Sequence, residues 1–113
     1  MKLLVLILNK VELLDELLEA LADAHICGAT ILQSRGMAQE LYHNAMESSS
    51  FLGSLRLLLD PDREQNLTIL TVVHDDKVPV AVDVIERVVG DLERPDTAVV
   101  FTVPVDLDRK SVV

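Results

Sequence analysis

Three arginines, Arg35, Arg56 and Arg63, stand out in a chain whose formal net charge is −9. All three lie at or within one stretch, residues 36–66. A guanidinium presents a planar fork of donors that matches a carboxylate or a phosphate, so these positions are candidates for holding the anionic part of a small effector. The plainer alternative is surface arginines that neutralise Glu40, Glu47, Asp60 or Asp62. His25 and Cys27, one residue apart, are both metal-ligating types. Zinc and copper sites need three or four such groups in matched geometry, and His43 and His74 are remote in sequence. The pair therefore reads as a helix-capping histidine and a small buried thiol. Ser48, Ser49 and Ser50 lack the strand-to-helix setting of a nucleophile elbow. His43 sits near Glu40 and Glu47 on a loop, a poor platform for a precise general base. No glycine-rich loop with a lysine cradles a phosphate. The chemistry on offer is binding, and the chain is not expected to be an enzyme.

Composition narrows the partners. The 113 residues make room for one domain, and half of them are hydrophobic while only 3% are aromatic, so the core must be aliphatic. The acidic balance argues against a grip on the nucleic-acid backbone, which needs clustered Lys and Arg, and against an anionic membrane surface. A single cysteine excludes an internal disulfide framework. The opening MKLLVLIL is too short an apolar run for a signal peptide, and no apolar stretch reaches membrane-spanning length. A cytoplasmic location is expected.

Two patterned halves must position these residues. Leu3 to Leu8 is an unbroken aliphatic run of strand length. Asn9 and Glu12 have the spacing of a capping box, with Leu8 and Leu13 as its staple. A helix is expected from Lys10 to Ala24, with Val11, Leu14, Leu17, Leu18 and Leu21 as its buried stripe. The acidic residues Glu12, Asp15, Glu16, Glu19 and Asp23 fill its solvated face. His25 falls where a left-handed residue would end that helix. Ala29 to Ser34 is the second strand. Leu67 to Val73 is the third, and Asp75 or Asp76 opens a second helix that tolerates Pro79 in its first turn. Val78, Ala81, Ile85 and Val88 mark its buried stripe, with Val82 and Val89 at the flank. Gly90-Asp91 ends it. Ala98 to Val105 is the fourth strand, where Pro104 suits an edge. Between the halves, residues 36–50 are polar without a sustained period, Phe51 to Leu59 is apolar enough to pack, and Asp60-Pro61-Asp62 is a turn. A connection of this length between two strands of a compact domain is usually functional or disordered.

The order is β-α-β, insert, β-α-β. This predicts an α+β fold, the ferredoxin-like βαββαβ pattern: a four-stranded antiparallel sheet with both helices on one face and a long insert between strands 2 and 3. Leu4, Leu6, Leu32, Leu70, Val72 and Val100 are assigned to one face, and Leu3, Val5, Ile7, Ile31, Ile69, Val99 and Phe101 to the other. Both faces are apolar, yet two helices cover only one. Six bare aliphatic side chains would forgo about 1.5–3 kcal/mol each, in a patch larger than soluble monomers usually expose. A second surface must cover them, and another copy of the chain in a closed symmetric oligomer is the simplest.

Two blocks carry a family resemblance. Leu13 to Thr30 (LLDELLEALADAHICGAT) is similar to the first helix of the PII-type nitrogen-regulatory signal-transduction proteins and its Gly-x-Thr turn, here Gly28 and Thr30. Val72 to Val105 resembles the family's second half. Asp75-Asp76-Lys77-Val78 opens the helix, Gly90-Asp91 follows it, and Val100-Phe101-Thr102-Val103-Pro104-Val105 matches the closing Phe-Val-x-Pro-Val strand. The resemblance implies a divergent PII-like homotrimer whose sheets face the three-fold axis. It implies a small effector, with ATP, ADP or AMP as candidates, bound in clefts between subunits. It implies a regulated partner, a transporter or an enzyme, contacted through the T-loop-like residues 36–66. Gly28, Thr30 and Gly36 map onto one wall of the cleft. Arg35, Met37, Arg56, Gly90 and Asp91 complete the candidate set, and Arg109 and Lys110 fall where basic tail residues close the site. The opposite turn, Leu92 to Thr97, lacks the family's glycines and lysine, whose amides and charge approach phosphates. Tight ATP binding is weakened accordingly. Tyr42 lies in the loop without the family's modified-tyrosine surroundings. The alternative is a trimeric divalent-metal tolerance or sensing protein, using His25 and Cys27.

Overall fold

The computed structural model describes residues 1–37, 40–41, 65–94 and 97–109. Its strands are β1 (Lys2–Leu8), β2 (Thr30–Ser34), β3 (Asn66–Val73) and β4 (Ala98–Pro104). Helix α1 (Leu14–Asp23) lies between β1 and β2, and helix α2 (Val78–Val89) between β3 and β4. The strands form one sheet in the order β2-β3-β1-β4, with every neighbouring pair antiparallel. This is the predicted α+β architecture, and the order is compatible with a ferredoxin-like fold. Pro104 sits at the end of β4, an edge strand, where its missing N–H breaks no interior ladder.

Both helices begin differently from the sequence expectation. A 3-10 turn, Val11–Leu13, precedes α1, and the cap positions fall on Lys10 and Leu13, neither with a side-chain cap hydrogen bond. Val11 is exposed and leaves the predicted stripe, while Leu17 and Leu21 carry the burial. Another 3-10 turn, Asp75–Lys77, precedes α2, with Pro79 in the first helical turn as expected. Val84, which the predicted stripe omits, is fully buried beside Ala81, Ile85 and Val89. The buried arc of α2 is therefore centred one step away from the predicted one.

The end of α1 follows its sequence signal. His25 has φ 64°, the left-handed conformation. The His25 N–H donates to the Ala22 carbonyl at 2.9 Å, and the Ile26 N–H reaches back to Leu21 at 2.9 Å. That pair of bonds is the Schellman motif, and Ile26 supplies its buried hydrophobic contact. Gly90 ends α2 with φ 88° and ψ −159°, a region open in practice only to glycine.

The register corrects the assignment of strands to faces. Leu4 pairs with Thr71, Leu6 with Ile69 and Val100, and Ile31 with Ile69. Directly paired residues share a face, so Ile69 and Ile31 join Leu4, Leu6 and Val100 under the helices. Leu32, Leu70 and Val72 join Leu3, Val5, Ile7, Val99 and Phe101 on the other side. Each strand's alternation is as predicted, but a one-residue phase between strands exchanges whole faces, and the register alone sets that phase. The core beneath the helices is built from Leu4, Leu6, Leu8, Leu17, Leu21, Ile69, Val73, Ala81, Val84, Ile85 and Val89.

The opposite face carries three cross-strand rows: Val72–Leu3–Val103, Leu70–Val5–Phe101 and Leu32–Thr68–Ile7–Val99. Along the edges it is open, with Val99 54%, Leu32 49% and Phe101 47% exposed. The predicted second apolar surface is present.

Candidate functional site

The strand β2 separates the predicted site residues into two groups. Gly28 and Thr30 lie at its start, Arg35, Gly36 and Met37 beyond its end. From the Thr30–Leu70 pair to the Ser34–Asn66 pair is four residues, or about 13 Å at strand rise. The first group borders a cavity of about 710 Å³. Its floor includes Leu3, Leu70 and Val72 from the open sheet face, and its rim includes His25, Cys27, His74 and Lys77. An apolar floor with a few polar groups at the rim is the usual make-up of a small-molecule site.

Local structure explains this wall. The buried Thr71 hydroxyl donates to the Gly28 carbonyl and pins the α1–β2 connection onto β3. Lys77 Nζ donates to the Ala24 carbonyl at 3.4 Å and places a cation on the C-terminal end of α1. Gly28 has no positive φ, and a Cβ added to it would meet nothing within 4 Å. Neither backbone conformation nor packing inside the chain demands glycine there.

Cys27 is exposed rather than buried, which corrects the sequence expectation. The Schellman turn buries its neighbour Ile26 instead. Sequence distance also concealed that His74 borders the same cavity as His25 and Cys27. Even so, no group of three or more His, Cys, Asp or Glu side chains able to hold a metal is present among the described residues.

At the other end of β2, the Glu40 N–H donates to the Gly36 carbonyl at 3.0 Å, a helical bond. Met37, Glu40 and Leu41 are helical, in a stretch where the sequence showed no sustained period. The Arg35 guanidinium donates to the Glu40 carboxylate at 3.3 Å, and both side chains are largely exposed. Such a surface pair contributes little, so Arg35 can exchange Glu40 for another anion at small cost. Gly90 and Asp91 border a smaller cavity of about 550 Å³ with Glu86, Leu92 and Glu93. The Glu93 N–H donates to Asp91 Oδ1 at 2.9 Å and shapes that turn. Asn66, expected within the insert, is instead the first residue of β3, buried and paired with Ser34. Arg56, Arg63, Tyr42, His43, Ser48 to Ser50, Phe51 to Leu59 and Lys110 lie outside the described residues.

One acidic group in this region is perturbed. The Met1 ammonium donates to Asp75 Oδ1 at 2.8 Å. That hydrogen bond and its charge hold the Asp75 carboxyl below its ordinary value of 3.8.

No protein-family model matches the chain, and no curated protein matches it.

Proposed function

We propose that this protein is a PII-like regulatory trimer. Its candidate effector, an adenine nucleotide such as ATP, ADP or AMP, is held between subunits. It acts on a transporter or enzyme in the cytoplasm through residues 36–66. The observation that carries this reading is the second apolar face of the sheet. Among the described residues, no helix lies over its rows of Leu, Val, Ile and Phe. An apolar face of that extent is stabilised by a partner surface, and identical faces meet in closed symmetry.

The split of the candidate residues supports the intersubunit cleft. Gly28 and Thr30 lie at the start of β2 and the Arg35–Met37 group beyond its end, so more than about 13 Å of strand separates the two groups. One small anionic ligand reaches both groups most simply if they come from different copies. The unexplained glycine at position 28 fits a backbone that must admit a ligand. No helix among the described residues is long and apolar enough to cross a membrane.

A thermal-shift series tests the proposal, with light scattering on the same samples. One adenine nucleotide at a hundred times its dissociation constant should stabilise the native protein by about 2.7 kcal/mol. The scattering mass should be that of three chains. A stable monomer at micromolar concentration would remove the cleft and the proposal with it.

The metal-sensing alternative draws on one finding, the position of His25, Cys27 and His74 around a single cavity. It is favoured if Zn²⁺ or Cu²⁺ alone shifts the melting temperature and Cys27→Ser abolishes the shift.

A further inference from the structure

The sheet's open face ends in a polar row, at the end from which the insert departs. Asn66 is 5% exposed although its side chain is an amide. Asn66 Oδ1 accepts a hydrogen bond from the Ser34 hydroxyl, and Asn66 Nδ2 donates to Asn9 Oδ1 at 3.3 Å. Ser34 has one proton to give. With that proton on Asn66, the 2.8 Å contact between Ser34 and Thr68 must be donated by the Thr68 hydroxyl. The Asn9 backbone N–H donates to the Thr97 carbonyl at 3.1 Å, and Thr97 is buried.

These residues have a shared position. Leu8–Leu67 is the last ladder pair between β1 and β3, and Leu8–Ala98 the last between β1 and β4. Ser34, Asn66, Asn9 and Thr97 form the next row outward, across all four strands. Side chains extend the pairing there by one step beyond the β1 ladder. The row contains both feet of the insert, Ser34 and Asn66. At its other side it contains Thr97, the residue through which the α2–β4 connection enters the sheet.

We infer that this polar row is a coupling element, which transmits displacement of the α2–β4 connection to the two feet of the insert. The Asn66 amide is buried, and a buried amide does not exchange its partners for water without a penalty. A shift at Thr97 therefore either breaks the Asn9 bond or carries Asn9 with it, and Asn9 holds the Asn66 amide. The row runs from the insert's feet, Ser34 and Asn66, through Asn9 to Thr97, where the α2–β4 connection joins the sheet. The coupling does not depend on which effector binds, or on whether one does.

Amide hydrogen exchange on the intact protein, read residue by residue by NMR, tests the inference with two variants. Asn66→Ala should raise exchange at the Asn9 amide by tenfold or more, and should leave Leu4 and Leu6 unchanged. Asn9→Ala should raise exchange at the Glu40 amide, whose acceptor is Gly36 beyond the β2 foot. If Asn66→Ala does not fold, Asn66→Asp serves, because it keeps the acceptor for Ser34 and removes the donor to Asn9. An effect that stays within the substituted strand in either variant overturns the coupling. So does a uniform rise that includes Leu4 and Leu6, which would mark general destabilisation.

Discussion

The two faces of this sheet are nearly equal in apolar content and opposite in what covers them. Beneath the helices, Leu4, Leu6, Leu8 and Ile69 are no more than 2% exposed. On the other side, Val99, Phe101 and Val103 are open by 42–54%. Only the central strands soften the contrast: Val5, flanked by Leu70 and Phe101, is 8% exposed with no helix of the described residues above it. The same side-chain types therefore do two different jobs. One face stores the stability of the single chain. The other stays largely open along its edges among the described residues.

The sharpest way to break that contrast is to truncate one residue on each side. Leu6→Ala should cost about 2–5 kcal/mol in denaturant unfolding, because the cavity it leaves is enclosed by rigid neighbours. Phe101→Asp should disturb the isolated chain far less, while light scattering should show the proposed trimer reduced to single chains. If Phe101→Asp unfolds the chain as strongly as Leu6→Ala, the two faces are not different in kind.

The helical layer that makes the covered face is held at its ends, and three substitutions sharpen the comparison there. Gly90→Ala should cost about 1–3 kcal/mol, measured by thermal unfolding, since φ 88° with ψ −159° is strained for any side chain. The added methyl group meets nothing, so the cost is purely one of backbone conformation. His25→Gly should raise stability by no more than about 1.5 kcal/mol. Relief of the left-handed strain, about 1–2 kcal/mol, is offset by glycine's greater freedom in the unfolded chain, about 0.5–1 kcal/mol.

The smallest effect should come from Asp75→Asn. The folded carboxyl of Asp75 is held below 3.8 by the Met1 ammonium. Its contribution is therefore complete above that value and disappears as the pH falls through the lowered one. The variant should be slightly less stable than the parent at neutral pH, converge on it as the pH falls below about 4, and so show a flatter acid limb. Both partners are partly exposed, so added salt should shrink the difference further.

Much of this architecture was legible in the sequence because local signals carried it. Strand and helix order, the left-handed His25 and the terminator Gly90 each depend on residues within a few positions. What was not legible depends on pairing between distant segments. Nothing near Leu32 or Leu70 states which face they share with Val5; only the β2–β3 and β1–β3 registers do. Asn66 looked like the last polar residue of a loop because its partners, Asn9 and Ser34, are far away in sequence. Val84 was passed over because the stripe of α2 was anchored on Val78 and Val88, which prove to be its margins. The candidate site shows the same division. Gly28 and Thr30 entered the candidate set through the family resemblance and Arg35 through its residue type, whereas the gathering of His25, Cys27 and His74 around one cavity needed the fold.

The pairing of Ser34 with Asn66 has an evolutionary consequence. Both ends of residues 35–65 are fixed on adjacent antiparallel strands, so the sheet itself closes that loop. Lengthening such a segment is thermodynamically inexpensive: doubling it adds only about 0.6 kcal/mol of closure entropy. Substitution, shortening or replacement between those two residues can therefore proceed without reopening the question of whether the domain folds. Here a lineage can change the length and sequence of the insert faster than it changes its frame.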